Sequence, residues 1–353
     1  MIHARTMIAC LVPSLMVYAL ATAPASAAGA AIDYAALNAA VVKNHLLPRY
    51  RAFTGRTAAL AAATDRLCPD VSPTALAAAR DAFHSALDAW HLVEHLRQGP
   101  PAAADTHIRV KFWPDRKSIV DKHLTRLLAG KDATILKPEP FAHVSVAVQG
   151  FPAMERLLFG TDAPALLQSG DGPVRPCAVV RAIAGNLHGI AAGLEGRWAS
   201  DPNAGRPAKR VTTDLFNDLA TGLGAVADLK LGAPLGSDGK RRPRRAENWL
   251  SGRALRNVAY NITALADLYD GLATAEGGHI GRDEDALIRD QFAHLIETLK
   301  DYGPSLTAML KTEKGALRLK VLKSEVQDLR ELVIVNLSEA LDLVLGFNSL
   351  DGD

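Results

Sequence analysis

The residues of this chain that can do chemistry gather first between Phe141 and Phe159. Val144, Val146, Val148, Phe151, Met154, Leu157 and Leu158 make that stretch apolar, and it reads as one helix. Within it Ser145, Gln149, Pro152 and Glu155 fall at steps of four, three and three, which on a helix is a single stripe. A carboxylate on such a helix needs a partner or water. Glu155 therefore reads either as a ligand-facing group or as the structural partner of an arginine. Pro152 cannot donate to the Val148 carbonyl and its ring crowds that carbonyl, so a kink is expected that leaves an acceptor beside the stripe.

A second constellation is His91-Leu92-Val93-Glu94-His95, the H-x-x-E-H order of an inverted zinc-peptidase motif. On a helix the two histidines share a face, Glu94 activates a metal-bound water, and Glu155 is the candidate third ligand. So short a pattern also arises by chance. The plainer reading pairs Glu94 with Arg97 or another arginine and leaves the histidines partly exposed. Lys240-Arg241-Arg242-Pro243-Arg244-Arg245 carries five basic residues in six. It reads as a solvated loop, or as a place where Arg244 or Arg245 folds over the site to hold an anionic ligand or neutralise Glu155 and Glu247. The net charge of +2 over 353 residues offers no field for nucleic acid. Trp113 and Trp249 read as core or bundle-interface residues. Asp115, just after Pro114, suits a helix N-terminus.

These side chains must be positioned by helices. The chain is 48% hydrophobic and only 5% aromatic, with Ala and Leu prominent, which favours helix over strand. Helical periodicity spans 34–64 with an interruption near Pro48, then 73–97 behind a Ser72 cap, 115–129, 141–159 and 177–198. After the turn-rich connection Ser200 to Pro207 it resumes at 211–229, 252–272, 283–310 and 319–345. The expected organisation is all-α, with two packed antiparallel helical bundles over 28–200 and 210–353.

Ahead of them, His3 and Arg5, the apolar stretch Met7 to Ala23 and Ala25-Ser26-Ala27 read as a signal peptide over 1–27. That predicts export to the periplasm. No later segment reads as a membrane span. In an oxidising compartment Cys68 and Cys177 are expected to form a disulfide, with two buried thiols as the alternative.

The stretch His143 to Phe159 resembles the signature region of the imelysin-like proteins. Glu94 to Pro100, Phe112 to Arg116, Arg245 to Arg253 and the tail Gly346 to Asp353 are similar to further segments of that family, in the same order. The resemblance implies two helical bundles meeting at a shared site in an exported protein. It also implies either metallopeptidase activity or a role in iron uptake with an envelope partner. The family motif is Gly-x-His-x-x-Glu. Gly150 and Glu155 match it, but Pro152 stands where the histidine belongs and has no lone pair for a metal.

The expected function is accordingly a non-catalytic periplasmic binding protein associated with iron or another divalent cation. The alternatives are a metallopeptidase and a carrier of an organic anion or peptide. Glu155 is the expected metal ligand. Around it, Glu94, Arg97, Trp113, Asp115, Ser145, Gln149, Gly150, Pro152, Arg245, Glu247, Trp249 and Ser251 are expected to line the site where the halves meet.

Overall fold

The computed structural model describes residues 31–69, 72–161, 163, 175–200, 203–274, 280–302 and 305–344. The signal peptide expected over 1–27 and the tail from Gly346 lie outside the described residues. Among the described residues all regular structure is helical. The principal helices are α1 (Tyr34–Val41), α2 (Leu47–Leu67), α3 (Pro73–His91), α4 (Ile119–Ala129), α5 (Phe151–Phe159), α6 (Arg175–Ala199), α7 (Ala208–Gly224), α8 (Ala254–Ala273), α9 (Arg282–Lys300) and α10 (Glu313–Ala340).

Local sequence explains where these helices begin. Ser72 accepts from the Ala75 N–H at 3.1 Å, with Pro73 next to it in the first turn of α3. Thr312 caps α10 through the Gly315 N–H at 3.0 Å. The interruption near Pro48 is a π-helical turn, Val42–Leu46, between α1 and α2. A second π-helical segment, Ala225–Gly232, continues α7.

Two groups of helices result, and residues 31–353 cluster as one unit. In the first, α2 packs on α3 and α6, and α5 packs on α3, α4 and α6. Phe53, Phe83, Trp90 and Phe151 form its aromatic seam, with Phe53–Trp90 centroids 5.5 Å apart and Phe83–Phe151 at 5.7 Å. Each fully buried ring of this kind contributes roughly 1.5–3 kcal/mol, and the seam fixes the start of α5 beside the end of α3. In the second group α7, α8, α9 and α10 pack on one another. The first helix packs with this group: Tyr34 Oη donates to the Leu341 carbonyl at 2.9 Å, and Asn38 bonds the Ala208 carbonyl at 2.8 Å. A disulfide joins Cys68 at the end of α2 to Cys177 at the start of α6.

Three expectations are corrected. The helix from Ser72 stops at His91, not Arg97, because the Asn261 side chain takes the His91 carbonyl at 2.8 Å and the chain turns. Residues 141–159 are not one helix. The Gln149 amide donates to the carbonyls of Ala142 and Val144, Gly150 is extended, and α5 starts only at Phe151. Pro152 therefore sits in a first helical turn, where its missing N–H costs nothing, and causes no kink. Finally, α6 is long and apolar enough to cross a bilayer by length and composition, contrary to the expectation that no later segment is. Its Val180, Ile183, Leu187 and Leu194 are buried in the protein core.

Candidate functional site

Where the two helix groups meet, five ionisable side chains are buried together: His91, Glu94, Lys111, Lys230 and Glu247. Each comes from an irregular or terminal piece of chain. His91 is the last residue of α3, and Glu94 lies in the turn that follows it. Lys111 follows the short helix Thr106–Val110. Lys230 is carried inward by the π-helical segment, and Glu247 lies in the loop before α8. Lys111 ion-pairs with both Glu94 and Glu247. Lys230 Nζ donates to Glu94 Oε2 at 2.7 Å and to Glu247 Oε1 and Oε2 at 3.0 and 2.9 Å. His91 Nδ1 lies 2.7 Å from Glu94 Oε2. From α8, Asn257 donates to Glu247 at 2.8 Å and Asn261 to Glu94 at 3.2 Å.

Two carboxylates thus face two ammoniums. Burial alone would raise the Glu94 pKa, but Lys111, Lys230 and His91 outweigh it and hold Glu94 well below the usual carboxylate range. His91 is pushed well below its ordinary value by burial and by the adjacent Lys230, so it is neutral.

Glu155 forms a neighbouring locus. Its Oε1 accepts the Ser251 N–H at 2.9 Å and the Ser251 hydroxyl at 2.5 Å, and Asn248 also bonds it. Burial raises its pKa against these hydrogen bonds. Asn257 donates to Asn248 at 2.9 Å, so one chain of hydrogen bonds runs from Glu155 to the charged cluster.

The other expected site residues serve differently. Asp115 accepts the N–H groups of Ile119 and Val120 at 2.8 and 2.9 Å and so tethers the start of α4. Ser145 meets His123 Nδ1 at 2.6 Å and caps the turn Val146–Val148. Gln149 accepts from Arg109 Nε at 2.7 Å while its amide ties the 142–144 loop. The expected stripe of Ser145, Gln149, Pro152 and Glu155 does not exist, since these residues span a loop and a helix start. Gly150 lies so close to the Val110 carbonyl that a Cβ would sit 2.1 Å from it. Trp113 has Lys111 Nζ 5.3 Å above its ring. Trp249 is 37% exposed beneath the Arg244 guanidinium, which excludes the core reading of the two the sequence allowed. Arg245 is exposed, and neither it nor Arg244 is ion-paired with Glu155 or Glu247 among the described residues. Sequence reasoning missed Lys111, Lys230, Asn257 and Asn261. The one available signal was Lys230, a lone charge between Leu229 and Leu231.

A cleft of about 1220 Å³ opens beside the cluster. Glu94, His95, Arg97, Asp218, Lys230 and Asn261 line its inner part. Asp218 accepts the backbone N–H groups of Arg97 and Gln98 at 3.1 and 3.4 Å, and burial pushes its pKa up to about 8. The H-x-x-E-H residues do not act as one set. His91 and Glu94 meet, whereas the His95 ring lies against His45, with centroids 5.7 Å apart.

An all-helical protein with two helix groups around a buried ionic cluster is the class that fold and site define. Residues 46–333 match the family model described as Imelysin, and the chain belongs to that family. It is 28% identical over 218 residues to iron-regulated protein A of Synechococcus elongatus, covering 57% of this chain. The chain spans 54% of the length of that relative. Its fold is similar to that of an imelysin-like protein from Psychrobacter arcticum, with a TM-score of 0.74 at 18% identity over 90% of this chain and 99% of that one. It is also similar to a putative iron-regulated protein A precursor from Parabacteroides distasonis, with a TM-score of 0.69 at 14% identity over 87% and 95% of the two chains.

The fit of a metal to these residues differs by locus. At Glu155, Pro152 supplies no donor and Ser251 already holds the carboxylate, so the locus does not fit a resident ion. His91, Glu94 and Glu247 offer donor atoms within 4.8 Å of one another. Their types suit a divalent cation, but both carboxylates are engaged by Lys111 and Lys230. A bare dication there would sit against two ammoniums, and the cluster as it stands does not fit one.

Proposed function

We propose that the protein is a non-catalytic, iron-associated binding protein of the cell envelope, and that its cleft takes iron as an anionic complex. The observation that carries this reading is the division of charge at the cleft. Glu94 and Glu247 are matched by ammoniums and Asp218 is held by backbone N–H groups, while Arg97 on the cleft wall is an exposed residue with no side-chain ion pair among the described residues. A guanidinium fork binds carboxylate or phosphate oxygens in pairs. The cleft is far larger than a bare ion and somewhat above the range of roughly 300–1,000 Å³ common for small-molecule pockets.

Similarity to iron-regulated protein A supports iron as the cargo element. Export is supported by the signal-like N-terminus, the Cys68–Cys177 disulfide and the similarity to a protein described as a precursor. Hydrolysis of the zinc-peptidase type needs a metal with an open position and a carboxylate free to act as base. Here Glu94 is held by two ammoniums and the His95 ring lies against His45.

Calorimetric titration with ferric citrate, citrate alone and ferrous sulfate tests the reading. Ferric citrate is expected to bind, and Arg97→Ala to weaken it tenfold or more. Unchanged binding in Arg97→Ala, tight binding of ferrous ion alone that is lost in Glu94→Gln, or peptide cleavage that is lost in His91→Ala would each overturn it.

A further inference from the structure

His45 and His95 form a second feature at the cleft that neither the charged cluster nor the Glu155 locus uses. His45 lies on the π-helical turn Val42–Leu46, a local widening that rotates its side chain into the interior. His95 follows Glu94 in the turn after α3 and lines the cleft. The two side chains come from separate parts of the chain, yet their ring centroids are 5.7 Å apart at an interplanar angle of 58°. His45 is 4% exposed and His95 5%. All four ring nitrogens are buried, and none has a hydrogen-bond partner among the described residues. Buried polar atoms without partners are uncommon, and each calls for an explanation such as a bound ion.

We propose that His45 and His95 together bind one borderline transition-metal ion, such as Zn²⁺ or Cu²⁺, leaving its remaining coordination positions open toward the cleft. Imidazole nitrogen is the donor these ions prefer. With metal–nitrogen bonds of about 2.0–2.1 Å, two imidazoles on one ion have centroids about 5 Å apart at the tetrahedral angle and closer to 6 Å when that angle opens. The observed separation falls in that interval.

Both rings are also in the required neutral form. Burial, followed by His95 and Arg49, lowers the His45 pKa to about 2, and burial with Arg49 and Arg97 lowers the His95 pKa to about 3. The nearest cations are Arg49 and Arg97. Arg49 is paired with Asp267, and Arg97 faces Glu94 and Asp218. Packing holds the pair in place, since α7 approaches so closely at Gly222 that a Cβ there would lie 3.2 Å from His95 Cβ.

This site is separate from the anionic-complex reading, because Arg97 takes no part in it. Untagged full-length protein is titrated with Cu²⁺ alone and followed by electron paramagnetic resonance. One ion bearing at least two imidazole nitrogens is expected. His45→Gln and His95→Gln should each weaken binding tenfold or more, while Glu155→Gln leaves it unchanged. A wild-type crystal soaked in Zn²⁺ should show an anomalous peak between the two rings, which requires no variant to fold. Wild-type affinity in both histidine variants, a nitrogen signal lost instead in His91→Gln, or a zinc peak only elsewhere would overturn the assignment. Failure of Arg97→Ala to affect ferric citrate would leave it standing.

Discussion

Replacing Lys230 with methionine should turn the balanced cluster into one with an uncompensated charge. Lys230 Nζ lies 2.7 Å from Glu94 and 2.9–3.0 Å from Glu247. At an effective dielectric of 20, a pair of unit charges at these separations is worth about 6 kcal/mol of Coulomb energy. Much of that offsets the desolvation of the ammonium, and loss of one partner from a buried set typically costs about 3–5 kcal/mol. The pH dependence separates this cause from lost packing. In the wild type the Glu94 pKa is depressed in the folded state. Its contribution is therefore present above the unfolded value of about 4.3 and lost as pH falls through the folded value.

In Lys230→Met, two carboxylates share one ammonium, and the pair should hold a proton to higher pH. Its raised folded pKa makes stability fall as pH rises, by up to about 1.4 kcal/mol per pH unit. Urea denaturation of both proteins at pH 5 and pH 8 is expected to show the larger loss at pH 8. Lys230→Met/Glu247→Gln should recover at least about 1 kcal/mol there, since it removes the excess charge. An equal loss at both pH values, with the double variant no better than the single, would refute the electrostatic account.

Three further outcomes are expected. Reducing the Cys68–Cys177 bond, which links residues 109 apart in sequence, should cost about 4–5 kcal/mol on a chain-entropy basis, measured by urea unfolding with and without reductant. Asp218 has a folded pKa of about 8 against about 3.9 unfolded, so its burial penalty grows as pH rises between those values. Stability of wild type relative to Asp218→Asn should fall across that window by up to about 1.4 kcal/mol per pH unit, and a flat difference would count against a buried protonated carboxyl. Gly150→Ala should cost about 2–3 kcal/mol or more, because the added Cβ meets the Val110 and Arg109 carbonyls at 2.1 and 2.4 Å. A neutral melting curve would mean that this backbone approach is looser than described.

The helical class was legible because Ala- and Leu-rich periodicity repeats along the chain, and Ser72-Pro73 marks a helix start by chemistry that is entirely local. The ends of elements were less legible. Nothing near His91 shows that Asn261, 170 residues away, takes its carbonyl and turns the chain. The apolar pattern of 141–159 concealed a loop held by the Gln149 side chain and by the close approach at Gly150, both of which depend on tertiary partners. The pairing of Glu94 with lysines rather than arginines was hidden for the same reason. Lys111 and Lys230 are 119 positions apart, and only the fold brings them to the same carboxylates.

The two π-helical turns explain how an otherwise regular bundle acquires a polar interior. A continuous α-helix through 42–46 or 225–232 would advance by about 3.6 residues per turn, whereas a π turn inserts one extra residue and shifts the buried face. One shift delivers His45 to the ring of His95, which lines the cleft, and the other delivers Lys230 to the cleft's inner part. Leu46 and Leu231 are buried in the same segments, and a buried ionic cluster is a weak source of stability compared with apolar residues of the same volume. What the charges provide is a cleft whose floor has preset polarity and whose carboxylates are already matched. In that setting Glu155 ties α5 to Ser251 through its Oε1. Pro152 then costs the fold nothing, because a first helical turn is the one place in α5 where its missing N–H goes unused.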